Sequence, residues 1–327
     1  MWRMFMWLQK NLVWSIPLFM ILGVALGYAV QTDFLKVLIL PLTFLMVYPM
    51  MVTMNIQELF KKGNTRVQLS ALLINFALIP ILGYGFGLLF FADQPLIRLG
   101  LLLTSLLPTS GMTISWTGFA KGNVPEAVKM TVLGLILGSL LTPLYLRGLL
   151  GTVIEIPLLQ VLQQILMIVF VPLVLGYITQ KFLIKRYGAQ IYQTQLKPKF
   201  PPFSTLGVLG IVFVSMALKA HAIIDHPQVL LTYLLPLFLM YLINFTVSTV
   251  IAKMFFKRGE GIALVYGTVM RNLSIALAIA LGVFGAQGAE AALLIALAYV
   301  VQVQAAAWYV KLSERFFPPE NGLSKAL

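Results

Sequence analysis

The residues of this sequence whose types could do chemistry are few, and they lie inside apolar runs. One run carries Leu107-Pro108-Thr109-Ser110-Gly111-Met112-Thr113 near its middle, and another carries Gly267-Thr268-Val269-Met270-Arg271-Asn272-Leu273-Ser274. Asn75 and Asn244 interrupt two more, Lys129 and Thr131 stand near the start of a fifth, and Gln302 and Gln304 fall in the last. No carboxylate falls mid-run; Glu126 is in a first turn, and the others lie at ends or in loops. There is no cysteine, so thiolate metal sites and thiol nucleophiles are excluded. The two histidines, His221 and His226, belong to one outer end. No acid–base pair or metal cluster converges, which argues against an enzyme and implies no cofactor. What remains is hydroxyls, amides, helix N-termini and a guanidinium. Their net positive character suits an anion or a neutral polyhydroxy species.

Each residue also has a plainer reading. Pro108 removes a backbone donor, Gly111 loosens the turn, and Thr109 or Ser110 can cap a new helix start, so the run is either broken or only kinked. Arg271 lies about 11 residues into its run, hence roughly 16 Å deep at 1.5 Å per residue. An arginine at that depth is a functional-site hypothesis, against a structural role on backbone carbonyls. Lys129 can serve the same site, reach the surface, or pair with Glu126 one turn earlier. Asn75, Asn244, Gln302 and Gln304 either line a cavity or join helices by hydrogen bonds. Tyr48, Pro49, Met50, Met51 and Met54 read as packing.

The elements that hold these residues are membrane helices. Of 327 residues, 60% are hydrophobic and only 10% charged, against about 25% charged in soluble domains. Apolar runs long enough to cross a bilayer core as helices alternate with short polar connections. The expected fold is an all-α polytopic membrane protein with ten spans: 12–30, 34–54, 67–92, 96–120, 124–150, 157–183, 203–223, 228–254, 260–285 and 288–316. A polar, proline-rich connection covers 184–202. Residues 1–10 lack a small-residue cleavage site and are not expected to be a removable signal. With the N-terminus cytoplasmic, 17 of the 23 Lys and Arg residues fall on that side. Only Lys36, Arg98, Arg147 and Lys219 fall opposite, and Lys129 and Arg271 are left within spans. This bias sets both termini inside a bacterial-type cytoplasmic membrane and accounts for the +13 net charge without a nucleic-acid partner.

The halves repeat each other. Leu26-Gly27-Tyr28 in span 1 matches Leu175-Gly176-Tyr177 in span 6. Leu73-Ile74-Asn75-Phe76 in span 3 matches Leu242-Ile243-Asn244-Phe245 in span 8. The ends of spans 4 and 9 correspond as Gly118-Phe119-Ala120 and Gly282-Val283-Phe284. Five spans per half invert the second repeat, which gives 1–155 and 156–327 as repeats and spans 4 and 9 as discontinuous helices around a midplane site.

These residues resemble the bile acid:sodium symporter superfamily, and within it most the arsenical-resistance (arsenite efflux) permeases. The carriers are Met46-Val47-Tyr48-Pro49-Met50-Met51, then Pro108-Thr109-Ser110-Gly111-Met112 leading to Ser115-Trp116-Thr117-Gly118-Phe119-Ala120-Lys121-Gly122-Asn123, Asn272 through Ala280, and Val301-Gln302-Val303. The resemblance implies a panel domain of spans 1, 2, 6 and 7 moving against a core domain of spans 3–5 and 8–10, with two crossing broken helices. It implies a secondary transporter for a small solute, an organic anion or arsenical-like oxyacid, with a proton or sodium as coupling ion. Departures from the family pattern are informative. Thr109 stands where arsenite permeases carry a cysteine, and Ser274 and Gln302 stand where they carry acidic residues. First-site sodium ligands of coupled members fall near Thr113, Ile114, Ala127, Thr131 and Gly267, of which only the threonines keep a coordinating side chain. A second-site glutamine falls at Arg271. The expectation is that Arg271, with Lys129, replaces a coupling cation. The alternatives are a thiol-independent arsenite or antimonite exporter, a sodium-coupled organic-anion symporter, and a channel or non-transporting scaffold.

Overall fold

The computed structural model describes residues 2–55, 63–225, 227–285 and 287–318. Glu58, Lys61, Lys62, His226, Ala286, Glu320 and Lys325 lie outside the described residues. The described chain is a helical bundle: α1 (Trp2–Lys10), α2 (Leu12–Ala29), α3 (Ile39–Thr53), α4 (Thr65–Phe90), α5 (Pro95–Leu106), α6 (Gly111–Phe119) and α7 (Val124–Leu150). There follow α8 (Leu158–Tyr187), α9 (Pro201–Leu218), α10 (Gln228–Phe255), α11 (Arg258–Val269), α12 (Leu273–Phe284) and α13 (Gly288–Phe316). Among the described residues, seven helical segments are long and apolar enough to cross a membrane, and three shorter apolar helices cover Trp14–Ala29, Pro95–Leu106 and Leu273–Phe284.

Packing sorts the helices into two groups. The helix α9 lies against α2 and α3, and α8 lies against α3. Close approach is built in, since a Cβ on Gly207 would strike the backbone of Met46. Small residues at such seams let membrane helices gain dispersion contacts where no hydrophobic force separates protein from lipid. In the second group α5 packs on α4 and α13, and α10 packs on α11. The two groups meet chiefly through α12, which touches α3 and the start of α8, and through α13, which touches α2 and α9.

Two expectations about the connections are corrected. Residues 184–202 are largely helical, because α8 continues to Tyr187 and short helical turns fill Ala189–Lys199. The helix breaks at Gly188, whose φ of +87° suits a residue without a Cβ. The segment is tied down by buried Tyr192, which donates to the Val52 carbonyl at 2.7 Å and accepts from Gln180 at 3.1 Å. The seventh apolar run is also shorter than expected; its helix ends at Leu218 and a separate helix covers Ala220–Asp225.

One local irregularity positions a polar side chain. A π-turn covers Ile74–Leu78 within α4. Pro80 has no N–H, so the carbonyl four residues earlier, on Phe76, loses its helical donor. The Tyr145 hydroxyl donates to that carbonyl instead. The widened turn, a form often found at functional sites, holds Asn75 buried within the bundle.

Candidate functional site

Both candidate breaks are present, and they face each other. The first helix of the pair, α5, stops at Leu106, and α6 begins at Gly111. Ser110 caps the new start: its Oγ accepts from the Met112 N–H at 3.2 Å, and its own N–H donates to Thr113 Oγ1 at 3.1 Å. This is a capping box in which Thr113 plays the part usually given to glutamate. Between the helices Thr109 takes a left-handed conformation with φ +62°. In the other run α11 stops at Val269 and α12 begins at Leu273, capped by Asn272, whose Oδ1 accepts from the Ile275 N–H at 3.3 Å.

The two extended segments pair antiparallel through Pro108 and Arg271. The Thr109 N–H donates to the Met270 carbonyl at 2.7 Å, and the Asn272 N–H donates to the Leu107 carbonyl at 2.7 Å. Broken helices strand backbone groups inside a membrane protein, and here each break supplies partners for the other. Below them α7 presents a notch. A Cβ on Gly138 would stand 2.9 Å from Pro108 Cδ. The Thr109 hydroxyl donates to its own Pro108 carbonyl at 2.7 Å and lies 3.3 Å from the Thr131 carbonyl.

Arg271 is 1% exposed. Its Nε donates to the Thr104 carbonyl at 3.3 Å, its Nη2 to the Ser105 carbonyl, and its Nη1 to the Thr268 carbonyl at 2.9 Å and to Asn75 Oδ1 at 2.6 Å. These acceptors are all neutral. Thr104 and Ser105 are in the last turn of α5, and Thr268 is in the last turn of α11. One guanidinium therefore serves the carbonyl ends, the negative poles, of two half-helices. The N-terminal, positive poles of α6 and α12 begin beside it. The crossover holds a fixed cation and two positive helix ends with no carboxylate among the guanidinium's acceptors. The Nδ2 of buried Asn272 has no hydrogen-bond partner, which leaves one donor at this centre available.

Gln302 secures the backbone of this segment. Its Oε1 accepts from the Arg271 N–H at 2.7 Å and from the Tyr241 hydroxyl at 2.8 Å, and its Nε2 donates to the Arg271 carbonyl at 3.3 Å. Asn75 and Asn244 both act at the end of α11: Asn75 donates to the Gly267 carbonyl at 2.9 Å and Asn244 to the Thr268 carbonyl at 3.0 Å. Thr109, Asn75, Arg271, Asn272 and Gln302 are thus gathered at one centre. Ser110 and Thr113 form the cap at its edge. Ser274 turns to the Tyr299 hydroxyl at 2.5 Å, and the Thr131 hydroxyl donates back to the Ala127 carbonyl at 2.8 Å.

Lys129 belongs to a different cluster. Its Nζ stands 4.0 Å from Glu126 Oε1, and a Cβ on Gly63 would lie against both groups. Glu126 also accepts from the Asn64 N–H at 2.9 Å and from Gln68 Nε2 at 2.5 Å. The cluster ties the starts of α4 and α7 together. The residues not singled out in advance are Tyr241, Tyr299 and Ser248, whose hydroxyl lies 2.7 Å from Thr268 Oγ1. Tyr241 precedes Asn244 by three residues and so shares its helical face, a spacing that marks it in retrospect.

The two half-helices differ in cover. Ser115, Gly118 and Phe119 of α6 are exposed, whereas α12 is buried along Ile275–Leu281.

A bundle of long apolar helices enclosing paired, broken half-helices defines an integral membrane protein of the transporter class. The Sodium Bile acid symporter family profile matches residues 40–226, and the chain belongs to that family. It is 23% identical over 233 residues to the Arsenical-resistance protein Acr3 of Corynebacterium glutamicum, covering 68% of this chain and 63% of that protein, less than two thirds of its length. It is 24% identical over 290 residues to the Arsenical-resistance protein Acr3 of Alkaliphilus metalliredigens, covering 84% and 80%. It is 24% identical over 218 residues to the uncharacterised protein YbaS of Bacillus subtilis, covering 66% and 70%. A symporter family is a class of carriers, not of enzymes.

Proposed function

We propose that this protein is a secondary transporter that moves a small organic anion or arsenical-like oxyacid by alternating access, without sodium. Ten passages carry it: α2, the seven long helical segments, and the interrupted pairs α5–α6 and α11–α12. The halves 1–155 and 156–327 are inverted repeats. The panel is α2, α3, α8 and α9, and the core is α4–α7 with α10–α13. Both termini are cytoplasmic in a bacterial-type inner membrane.

The observation that carries this reading is the setting of Arg271. Its guanidinium is held by four neutral oxygens drawn from both broken helices and from Asn75. Such an oxygen set is also what a bare alkali cation needs. The tethered cation organises the crossover in place of a coupling ion, and it leaves two positive helix ends and the Asn272 amide for an anion. Arg271 supplies this role by itself; Lys129, held at Glu126, acts at the cytoplasmic end instead.

The test is flux into liposomes carrying the purified chain, with arsenite, antimonite and a panel of carboxylates, in sodium and in potassium. Saturable flux that is indifferent to sodium is expected. Uptake that requires a sodium gradient would sink the proposal.

A second reading, efflux of arsenite or antimonite without a thiol, is favoured by the two relatives named for arsenical resistance. Protection of an arsenite-sensitive strain by the wild-type chain separates it from the organic-anion reading.

A further inference from the structure

We propose that the outer groove between α10 and α13 is a binding site for an anionic phospholipid of the bilayer. Its acyl chain would lie along the aromatic wall and its headgroup on Lys253, Lys311 and Arg315. The groove has a volume of about 520 Å³ and is walled by Phe238, Tyr241, Phe245, Val301, Gln304 and Trp308. Trp308 is 71% exposed and Phe238 is 56% exposed, so the trough opens sideways from the bundle toward lipid.

Helical spacing fixes where the trough ends. On α13 the positions Val301, Gln304, Trp308, Leu312 and Arg315 follow at intervals of three or four, which puts them on one face. On α10 the positions Phe238, Leu242, Phe245, Thr249 and Lys253 do the same. The stripes converge on an aromatic floor: the Phe245 and Tyr309 ring centroids are 4.8 Å apart, Tyr309 and Phe316 are 6.1 Å apart, and Lys253 Nζ stands 5.9 Å from the Phe316 ring. From Val301 to Arg315 the helix rises about 21 Å at 1.5 Å per residue. One leaflet of a hydrocarbon core is about 15 Å thick. The apolar part therefore matches a single acyl chain, and the exposed cations Lys253, Lys311 and Arg315 fall at headgroup level. Glu314 is exposed at the same depth, one turn from Lys311, and leaves the three cations an excess of positive charge.

Charge selects the occupant. A second copy of this chain packed on the same face about a twofold axis would bring like cations together. A phosphodiester headgroup is complementary to them, and basic pockets between membrane helices favour anionic lipids. The groove also touches the crossover, since its wall residue Tyr241 donates to Gln302, which holds the Arg271 N–H. Occupancy of the groove should therefore stabilise the bundle around Arg271.

The experiment uses the full chain in nanodiscs of phosphatidylcholine or of phosphatidylglycerol, followed by thermal unfolding and by native mass spectrometry of the detergent-released protein. The expected result is a higher melting temperature in phosphatidylglycerol, with at least one anionic lipid retained per chain. That difference should vanish in Lys253→Gln/Lys311→Gln/Arg315→Gln, while the melting temperature in phosphatidylcholine stays at the wild-type value. Ala305→Phe, which fills the trough, should lower lipid retention with the cations intact, and it serves as the test should the triple variant fail to fold. Equal melting temperatures of the wild type in the two lipids would overturn the proposal. So would a lipid effect unchanged in both variants, or dimers that retain no lipid.

Discussion

Asn75 holds both sides of one joint: its Oδ1 accepts from Arg271 Nη1 at 2.6 Å, and its Nδ2 donates to the Gly267 carbonyl at 2.9 Å. The Thr268 carbonyl, to which Asn244 donates, also receives Arg271 Nη1 and so keeps a donor when Asn244 is removed.

The two asparagines should therefore differ in weight. Asn75→Ala leaves one of the two Arg271 Nη1 hydrogens and the Gly267 carbonyl without their partner, a loss of about 2–6 kcal/mol at roughly 1–3 kcal/mol for each stranded group. Asn244→Ala should lose only about 1 kcal/mol. Thermal unfolding in one detergent compares them, and equal losses would contradict the asymmetry.

Arg271→Met should destabilise by more than about 3 kcal/mol, since it strands the Thr104 and Ser105 carbonyls and Asn75 Oδ1 together, while Asn244 still serves the Thr268 carbonyl. Arg271→Gln vacates the same oxygen set while keeping a polar side chain. In this variant, sodium but not potassium should raise the melting temperature, and the wild type should respond to neither. A wild type stabilised by sodium would remove the basis of the tethered-cation reading.

The absence of cysteine from the chain makes labelling clean. Ser115→Cys and Phe119→Cys, on the exposed face of α6, should react quickly with a polar maleimide. Ala278→Cys and Ile279→Cys, buried on α12, should be protected. Comparable rates at the four positions would mean that the two half-helices are equally open in solution.

Thr109→Gly should be nearly neutral. A β-branched residue at φ +62° carries about 1–2 kcal/mol of strain that glycine relieves, and the hydroxyl's bonds return about 1 kcal/mol. A loss above about 2 kcal/mol on denaturation would show that the hydroxyl's contacts with α7 dominate.

Much of this arrangement is legible in the residues themselves. Pro108 cannot donate, Ser110 and Asn272 favour helix starts, and a lone arginine at mid-depth must find oxygens; each property acts over a few residues. The long-range partners are not legible in that way. Nothing in the chain near Arg271 indicates that its oxygens come from the last turn of α5, or that Gln302 takes its backbone N–H. Lys129 is ambiguous for a related reason. A pair three residues apart on a helix is always available, and only the fold shows Asn64 and Gln68 closing around Glu126. The 184–202 segment misleads because prolines and lysines read as a break, although Pro201 and Pro202 occupy a first helical turn, where the missing N–H is no loss.

The guanidinium at the crossover bears on the driving force of transport. A dissolved ion fills a site according to its concentration and brings the chemical potential of its gradient into the cycle. A cation joined to its own backbone has an occupancy of one in every state and under every condition. In the proposed carrier, the centre that aligns the two half-helices is thus energetically silent. Any uphill movement of solute must then draw on a second solute or a proton that binds and leaves elsewhere, and without one the carrier can only exchange or equilibrate.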